Sequence, residues 1–162
     1  MYFILFSIII FGIDQLTKVL LYGKNMRLIG DFLWLKTVFN EGAAWGSLSG
    51  AKWFFIIISA IAAVVFVYLL ISKKYFKSKF FKLSIGFLLG GLLGNLFDRI
   101  IYSGVRDFIY LKFINFPVFN IADIAITVGT IMLIVYILFI YSKTDGKKVT
   151  IKGENNGEKD NI

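Results

Sequence analysis

The residues able to do chemistry in this chain are few, and four aspartates stand out among them: Asp14, Asp98, Asp107 and Asp123. There is no Cys and no His, which removes disulfides, thiolate and imidazole metal sites, Cys nucleophiles and every His-based triad. A catalyst made from this inventory works with carboxylates, hydroxyls, amides, or Lys and Arg. No cation lies within a helical turn of Asp123, and Asp107 has only its sequence neighbour Arg106. If Asp107 and Asp123 converge, both cannot ionise cheaply, so one pKa rises and the pair shares a proton near neutrality. One carboxyl then serves as base and the other as acid. That is enough to activate water against a peptide carbonyl and to help the amine depart, with no metal and no covalent intermediate. Paired aspartates also bind Mg²⁺ or Ca²⁺, so residue type alone leaves both chemistries open.

The elements that must position these groups follow from composition. Of 162 residues, 58% are hydrophobic and 17% charged, against about 25% charged in an ordinary soluble domain, which argues against a water-soluble globule. A hydrocarbon core of about 30 Å needs about 20 mostly apolar residues in a helix. Four such runs occur, at about 2–22, 53–72, 83–102 and 119–142. The first lacks a basic leader and a small-residue cleavage site and carries Asp14 and Lys18, so it reads as a retained helix. Between the first two runs, in about 23–52, Phe32, Trp34 and Lys36 alternate with Leu33, Leu35 and Thr37, bounded by Gly30 and by Asn40-Glu41-Gly42. That alternation predicts strand. The expected fold is an all-α integral membrane protein over residues 1–142, with four transmembrane helices and a small extracytoplasmic β-rich segment between helices 1 and 2. Residues 143–162, rich in Gly, Asn, Lys and Glu, read as a basic, disordered tail.

Orientation comes from the connections, because cytoplasmic loops are enriched in Lys and Arg. Lys73, Lys74, Lys77, Lys79 and Lys82 follow the second run with no acid among them, and the tail adds more Lys. Both therefore belong inside the cell, with both termini, and 23–52 and 103–118 belong outside. The formal charge of +8 reads as membrane topology rather than nucleic-acid binding, since the charges sit at the ends of apolar runs. All four aspartates then gather near the outer surface, Asp107 in the loop after helix 3. Intramembrane carboxylates of this kind have partners or a function.

Helical spacing places Asn95, Asp98 and Arg99 on one face, pairs Asp14 with Lys18, and lines up Asn120, Asp123, Thr127 and Thr130 along helix 4. Asp98 with Arg99 reads as a structural carboxylate–guanidinium pair. Asp14 and Lys18 fit either an internal ion pair or a contact to a polar substrate or lipid head group. Thr127 and Thr130 read as bonding helix carbonyls. Gly86, Gly90 and Gly94 form a small-xxx-small seam for close helix packing.

Five blocks of the chain, taken together, resemble the bacterial lipoprotein signal peptidase (signal peptidase II) family: Asp14-Gln15-Leu16-Thr17-Lys18, Asn40-Glu41-Gly42-Ala43-Ala44-Trp45-Gly46, Gly94-Asn95-Leu96-Phe97-Asp98-Arg99, Val105-Arg106-Asp107-Phe108 and Phe119-Asn120-Ile121-Ala122-Asp123. The resemblance runs from about residue 10 to 130. It implies an intramembrane aspartic protease whose catalytic pair is Asp107 and Asp123. It further implies that Asn95, Arg99 and Asn120, with Asp98, order the site, and that Asn40, Asp14 and Lys18 contribute to substrate or lipid contacts. The implied reaction is hydrolysis of the peptide bond before a diacylglyceryl-modified Cys, releasing the signal peptide of a prolipoprotein. The implied location is the bacterial inner membrane with the site on the extracytoplasmic side. The expected partners are the diacylglyceryl-modified prolipoprotein and membrane lipids, with no nucleic acid, no cofactor and no metal, and the expected state is a monomer. Three positions depart from the family pattern: Trp45 for Phe, Arg106 for an apolar residue, and Ile124 for Ser or Ala. Arg106 fits either a group that lowers the pKa of the pair or one that points to lipid phosphates.

Three other classes compete. A small proton or ion transporter would carry polar groups on to the inner face, and the inner halves of helices 2 and 4 hold no ionisable residue. A Mg²⁺-dependent head-group transferase would want a denser Asp cluster facing the cytoplasm. A membrane scaffold leaves the Asp107 and Asp123 blocks without a role.

Overall fold

A computed structural model of the chain describes residues 2–42, 50–72 and 78–141. Ala43 to Gly46 of the second block, Lys73, Lys74 and Lys77, and the basic tail lie outside the described residues. The elements in chain order are α1 (Tyr2–Leu21), β1 (Met26–Ile29), β2 (Leu33–Asn40), α2 (Lys52–Ile71), α3 (Lys79–Tyr102), β3 (Val105–Leu111), a 3₁₀ turn (Lys112–Ile114) and α4 (Ile121–Val135), which runs on through a π-helical turn (Tyr136–Ile140). Among the described residues four helices are long and apolar enough to cross a membrane: Tyr2–Leu21, Lys52–Ile71, Lys79–Tyr102 and Ile121–Ile140. At 1.5 Å per residue, 20 residues reach about 30 Å. Their outward faces are greasy, with Ile8, Ile13, Val19, Ile57, Val64, Ile131 and Leu138 all exposed, as hydrocarbon surroundings require.

The bundle is organised around α3, which packs against α1, α2 and α4. Glycine makes this possible. A Cβ on Gly90 would sit 2.7 Å from Cβ of Ile10 and 2.8 Å from the Ser7 carbonyl oxygen, and one on Gly91 would run into the Ala122 carbonyl. The small-residue seam on α3 therefore seats α1 through Gly86, Gly90 and Gly94, while Gly91 seats α4. Away from the sheet, Leu70, Phe81, Ile85, Leu88, Leu89 and Tyr136 form a buried apolar cluster. α3 starts four residues before the uncharged run because Ser78 caps it, accepting from the Phe81 N–H.

The three strands form one antiparallel sheet in the order β1-β2-β3. β1 pairs with β2 through Met26↔Leu35 and Arg27↔Trp34. β2 pairs with β3 through Leu33↔Leu111, Trp34↔Tyr110 and Leu35↔Ile109 and, past a register shift, Val38↔Asp107, Phe39↔Arg106 and Asn40↔Val105. The β-rich segment between the first two helices is thus completed by a strand from beyond α3. Asp107 sits on that strand, which corrects its assignment to a loop. The partner of β3 lies some 70 residues away in sequence, so nothing local announces the pairing. Ser103 makes the turn into β3 with a left-handed backbone, φ 72°, and Gly104 follows where a Cβ would meet the Phe39 ring at 2.7 Å.

Candidate active site

The site begins with the cap of α4. Asn120 and Asp123 form a reciprocal capping box: Asn120 Oδ1 accepts from the Asp123 N–H at 3.1 Å, and Asp123 Oδ2 accepts from the Asn120 N–H at 3.0 Å. The Asn-x-x-Asp spacing satisfies two backbone donors that a helix start otherwise leaves open. It also fixes Asp123 in the first turn. A third donor of that turn, the Ala122 N–H, goes to Asp14 Oδ1 of α1 at 2.9 Å.

Amides then join the two carboxylates. Asn120 Nδ2 donates to Asp107 Oδ1 at 2.6 Å and to Asn95 Oδ1 at 3.1 Å, Asn95 Nδ2 donates to Asp123 Oδ1 at 2.7 Å, and Asn40 Nδ2 donates to Asp107 Oδ2 at 3.1 Å. Every carboxylate oxygen of the pair therefore accepts an N–H. The orientation of Asn95 follows from its partners: its oxygen receives Lys18 Nζ at 3.1 Å as well as Asn120, so its amide nitrogen must face Asp123. Asp107, Asp123, Asn40, Asn95 and Arg99 line one cavity of about 480 Å³, whose remaining wall includes Phe116, Val118, Ile124 and Val128. A wet polar end and a greasy wall meet in one space. Burial, and next the negative charge of Asp123, push the Asp107 carboxyl up to about 7, against the opposing pull of the Asn40 and Asn120 hydrogen bonds.

Behind the pair lies a second, closed layer of charge. Lys18 Nζ is 2.8 Å from Asp14 and 3.3 Å from Asp98, and Arg106 Nη2 is 2.8 Å from Asp98. The Arg106 backbone N–H and Nε also donate to Asp98 Oδ2, at 3.0 and 3.2 Å. Gln15 bridges the layer, accepting from Arg106 at 2.8 Å and donating to Asp98 at 3.2 Å and to the Gly94 carbonyl at 3.1 Å. Two cations balance two carboxylates, as burial demands. Among the described residues no buried side-chain polar atom lacks a partner.

These placements bear on three expectations. Asp98 does not pair with Arg99. Adjacent helix positions point about 100° apart, so Asp98 turns to Lys18 and Arg106, while Arg99 turns to the cavity, donating to the Gly42 carbonyl at 3.2 Å and lying 4.9 Å over the Phe55 ring. Asp14 and Lys18 are fully buried and ion-paired with each other, the first of the two alternatives read from the sequence; Lys18 touches Asn95 and Asp98. Arg106 points neither at the pair nor to lipid, because strand alternation puts it on the face of β3 opposite Asp107, where it binds Asp98 and stacks 4.4 Å over Tyr102. Gln15 joins the site without having been expected there; its signal in the sequence is an amide on an apolar helix. Thr127 and Thr130 bond the Asp123 and Ile126 carbonyls, each at 2.8 Å.

Comparison with known proteins agrees with the resemblance. Residues 6–139 match the family model for signal peptidase (SPase) II. The chain is 38% identical to a lipoprotein signal peptidase of Listeria monocytogenes serotype 4a over 91% of its own length and 100% of the relative's. It is likewise 38% identical to one from Enterococcus faecalis, over 84% and 87% of the two chains. Among solved structures, a bacterial membrane enzyme determined in meso at 2.3 Å superposes with a TM-score of 0.77 at 36% identity, covering 88% of this chain and 90% of the other. A match of this extent in sequence and in architecture leads to one assignment: the chain belongs to the signal peptidase II family.

Proposed function

We propose that this lipoprotein signal peptidase is an aspartic endopeptidase in which Asp107 and Asp123 are the acid–base pair. One observation carries the reading. Two carboxylates from separate elements, β3 and α4, line the same cavity, and Asn120 and Asn95 tie them together while leaving room beside them. With the Asp107 carboxyl near 7, the pair holds one shared proton around neutrality. The ionised member takes a proton from water as its oxygen attacks the scissile carbonyl. The protonated member donates to the carbonyl oxygen, and when the tetrahedral intermediate collapses the leaving amine receives a proton from the pair. Arg99 lines the same cavity and offers positive charge to the developing oxyanion.

The bond cut is the one before a diacylglyceryl-modified Cys. The apolar wall of Phe116, Val118, Ile124 and Val128 beside the carboxylates suits acyl chains delivered from a bilayer, and the peptide then meets the wet end. The termini are cytoplasmic and the site is extracytoplasmic, a reading supported by the lysines that follow α2. All groups of the site come from one chain, which supports a monomer acting alone. The apolar cluster around Leu70, Phe81 and Tyr136 away from the sheet offers no polar route of the kind a transporter needs.

The deciding experiment incubates purified enzyme in detergent with a lipidated and an unlipidated prolipoprotein. Cleavage of the lipidated form alone, directly before the modified Cys, is the expected result. Equal cutting of both would remove the lipid from the specificity, and no cutting by the parent enzyme would defeat the reading.

A further inference from the structure

On the sheet, away from the carboxylates, three cations gather on two aromatic rings. Arg27 lies 4.8 Å from the Trp34 ring centroid, Lys112 lies 4.7 Å from the same ring, and Lys36 lies 4.8 Å from the Tyr110 ring. The two rings meet edge to face, with centroids 6.5 Å apart, and Trp34 Nε1 is fixed by the Gly30 carbonyl at 2.8 Å. Together these five side chains line a separate cavity of about 420 Å³ whose lining holds no carboxylate and no residue of α1, α2, α3 or α4. Among the described residues none of the three cations has a carboxylate partner, whereas Lys18 and Arg106 are both ion-paired. Two like charges drawn to one indole repel each other, and an anion between them would relieve that repulsion.

The surroundings say which anion. Tyr110 is three residues from Asp107 on β3, so alternation puts it on the opposite face of the sheet, the face on which Arg106 reaches Asp98 at the end of α3. The groove therefore opens on the same face of the sheet as Arg106. Near it, on β1 and in the turns that flank β2 and β3, Leu28, Ile29, Phe32, Phe113 and Ile114 are exposed apolar residues, with the Phe32 and Phe113 rings stacked at 4.6 Å. A greasy margin next to Trp, Tyr and basic residues is the profile of a surface resting at a bilayer interface, where aromatics sit at head-group depth and basic side chains reach phosphate. A soluble acidic peptide would have no use for the margin. We propose that Arg27, Trp34, Lys36, Tyr110 and Lys112 form a site for the phosphodiester of an anionic phospholipid, distinct from the cavity that takes the acylated substrate.

The test needs no enzymatic activity, so it stands or falls separately from the peptidase reading. The full chain is placed in nanodiscs containing dibrominated phosphatidylglycerol or dibrominated phosphatidylcholine at the same mole fraction. Quenching of Trp34 is read in a W45F/W53F background, or as the difference between the parent chain and W34F where that background proves unstable. The brominated anionic lipid should quench Trp34 at least about twofold more than the zwitterionic one. The triple variant R27Q/K36Q/K112Q should abolish the difference, and K36Q alone should reduce it. Equal quenching by the two lipids, or a preference that survives the triple variant, overturns the proposal. So does a Trp34 that neither lipid quenches but that responds to an added acidic peptide, which would make the occupant a polypeptide.

Discussion

Asn120 Nδ2 lies 2.6 Å from Asp107 Oδ1, and the same side chain caps the helix that carries Asp123. One amide thus sets the distance between the two carboxylates. Asn120→Ala removes the cap, a loss of about 1 kcal/mol of stability, and it also releases Asp107. A misplacement of about 1 Å in a reacting group costs on the order of 10²-fold in rate, so kcat should fall about 100-fold while KM changes less than about threefold. Steady-state kinetics on a lipidated prolipoprotein check the split. A variant that loses stability but keeps kcat would show that Asn120 only caps.

Asp107→Asn and Asp123→Asn each keep shape and hydrogen-bonding capacity while removing the ability to take a proton. General acid–base groups contribute about 10²- to 10⁴-fold, and each substitution is expected to lower kcat by at least about 10³-fold without lowering the thermal midpoint. Activity near the parent level in either variant ends the pair hypothesis. All four oxygens of the pair accept from N–H donors, and the acid–base reading uses no metal, so activity should also survive treatment with EDTA.

The Asp107 carboxyl, raised from 3.8 to about 7, makes stability and activity depend on pH in a definite direction. Between those values the folded chain holds a proton that the unfolded chain has released, so stability falls as pH rises from about 4 to about 7. For a group this deeply buried the fall is on the order of 4 kcal/mol, as an upper bound. Asp107→Asn cannot titrate and should lack that part of the loss. Thermal midpoints of parent and variant across pH 4 to 8 should therefore converge at the acid end and separate toward neutrality, with the parent falling. Parallel curves would contradict the assignment. The pH profile of kcat/KM should in turn have a descending limb near 7, where the shared proton is lost.

Much of this architecture was legible because its cause is local. Runs of about 20 apolar residues announce helices wherever hydrocarbon must be crossed, whereas Asn120, read as part of a polar stripe along helix 4, proves to be the cap that precedes it. The small-residue spacing of Gly86, Gly90 and Gly94 announced a close helix contact for α3, and the structure supplies α1 as the partner. What stayed hidden depends on distant partners. β3 reads as a connection until β2, from some 70 residues earlier, supplies its ladder. Asp98 and Arg99 look like a pair because they are adjacent, yet 100° of helix rotation sends them to different neighbours. Arg106 looked like a perturbation of the Asp107 pair because sequence cannot show which face of a strand meets the buried Asp98.

The closed charge layer behind the site yields the last prediction. Asp14 and Lys18 are 2.8 Å apart with no exposed surface, and among the described residues Lys18 is the one cation that touches both Asp14 and Asp98. Lys18→Met strands buried carboxylate charge, a change that typically destabilises by about 3–5 kcal/mol. The double variant D14N/K18M removes one charge of each sign, leaving Asp98 to Arg106, and should recover at least half of that loss. Recovery of stability need not restore rate. Lys18 also orients the Asn95 oxygen, so the double variant should regain that stability while kcat stays reduced about tenfold or more. If Lys18 instead contacted substrate, the single variant would raise KM and leave the thermal midpoint in place. Thermal unfolding and steady-state kinetics on the same three proteins separate the two roles.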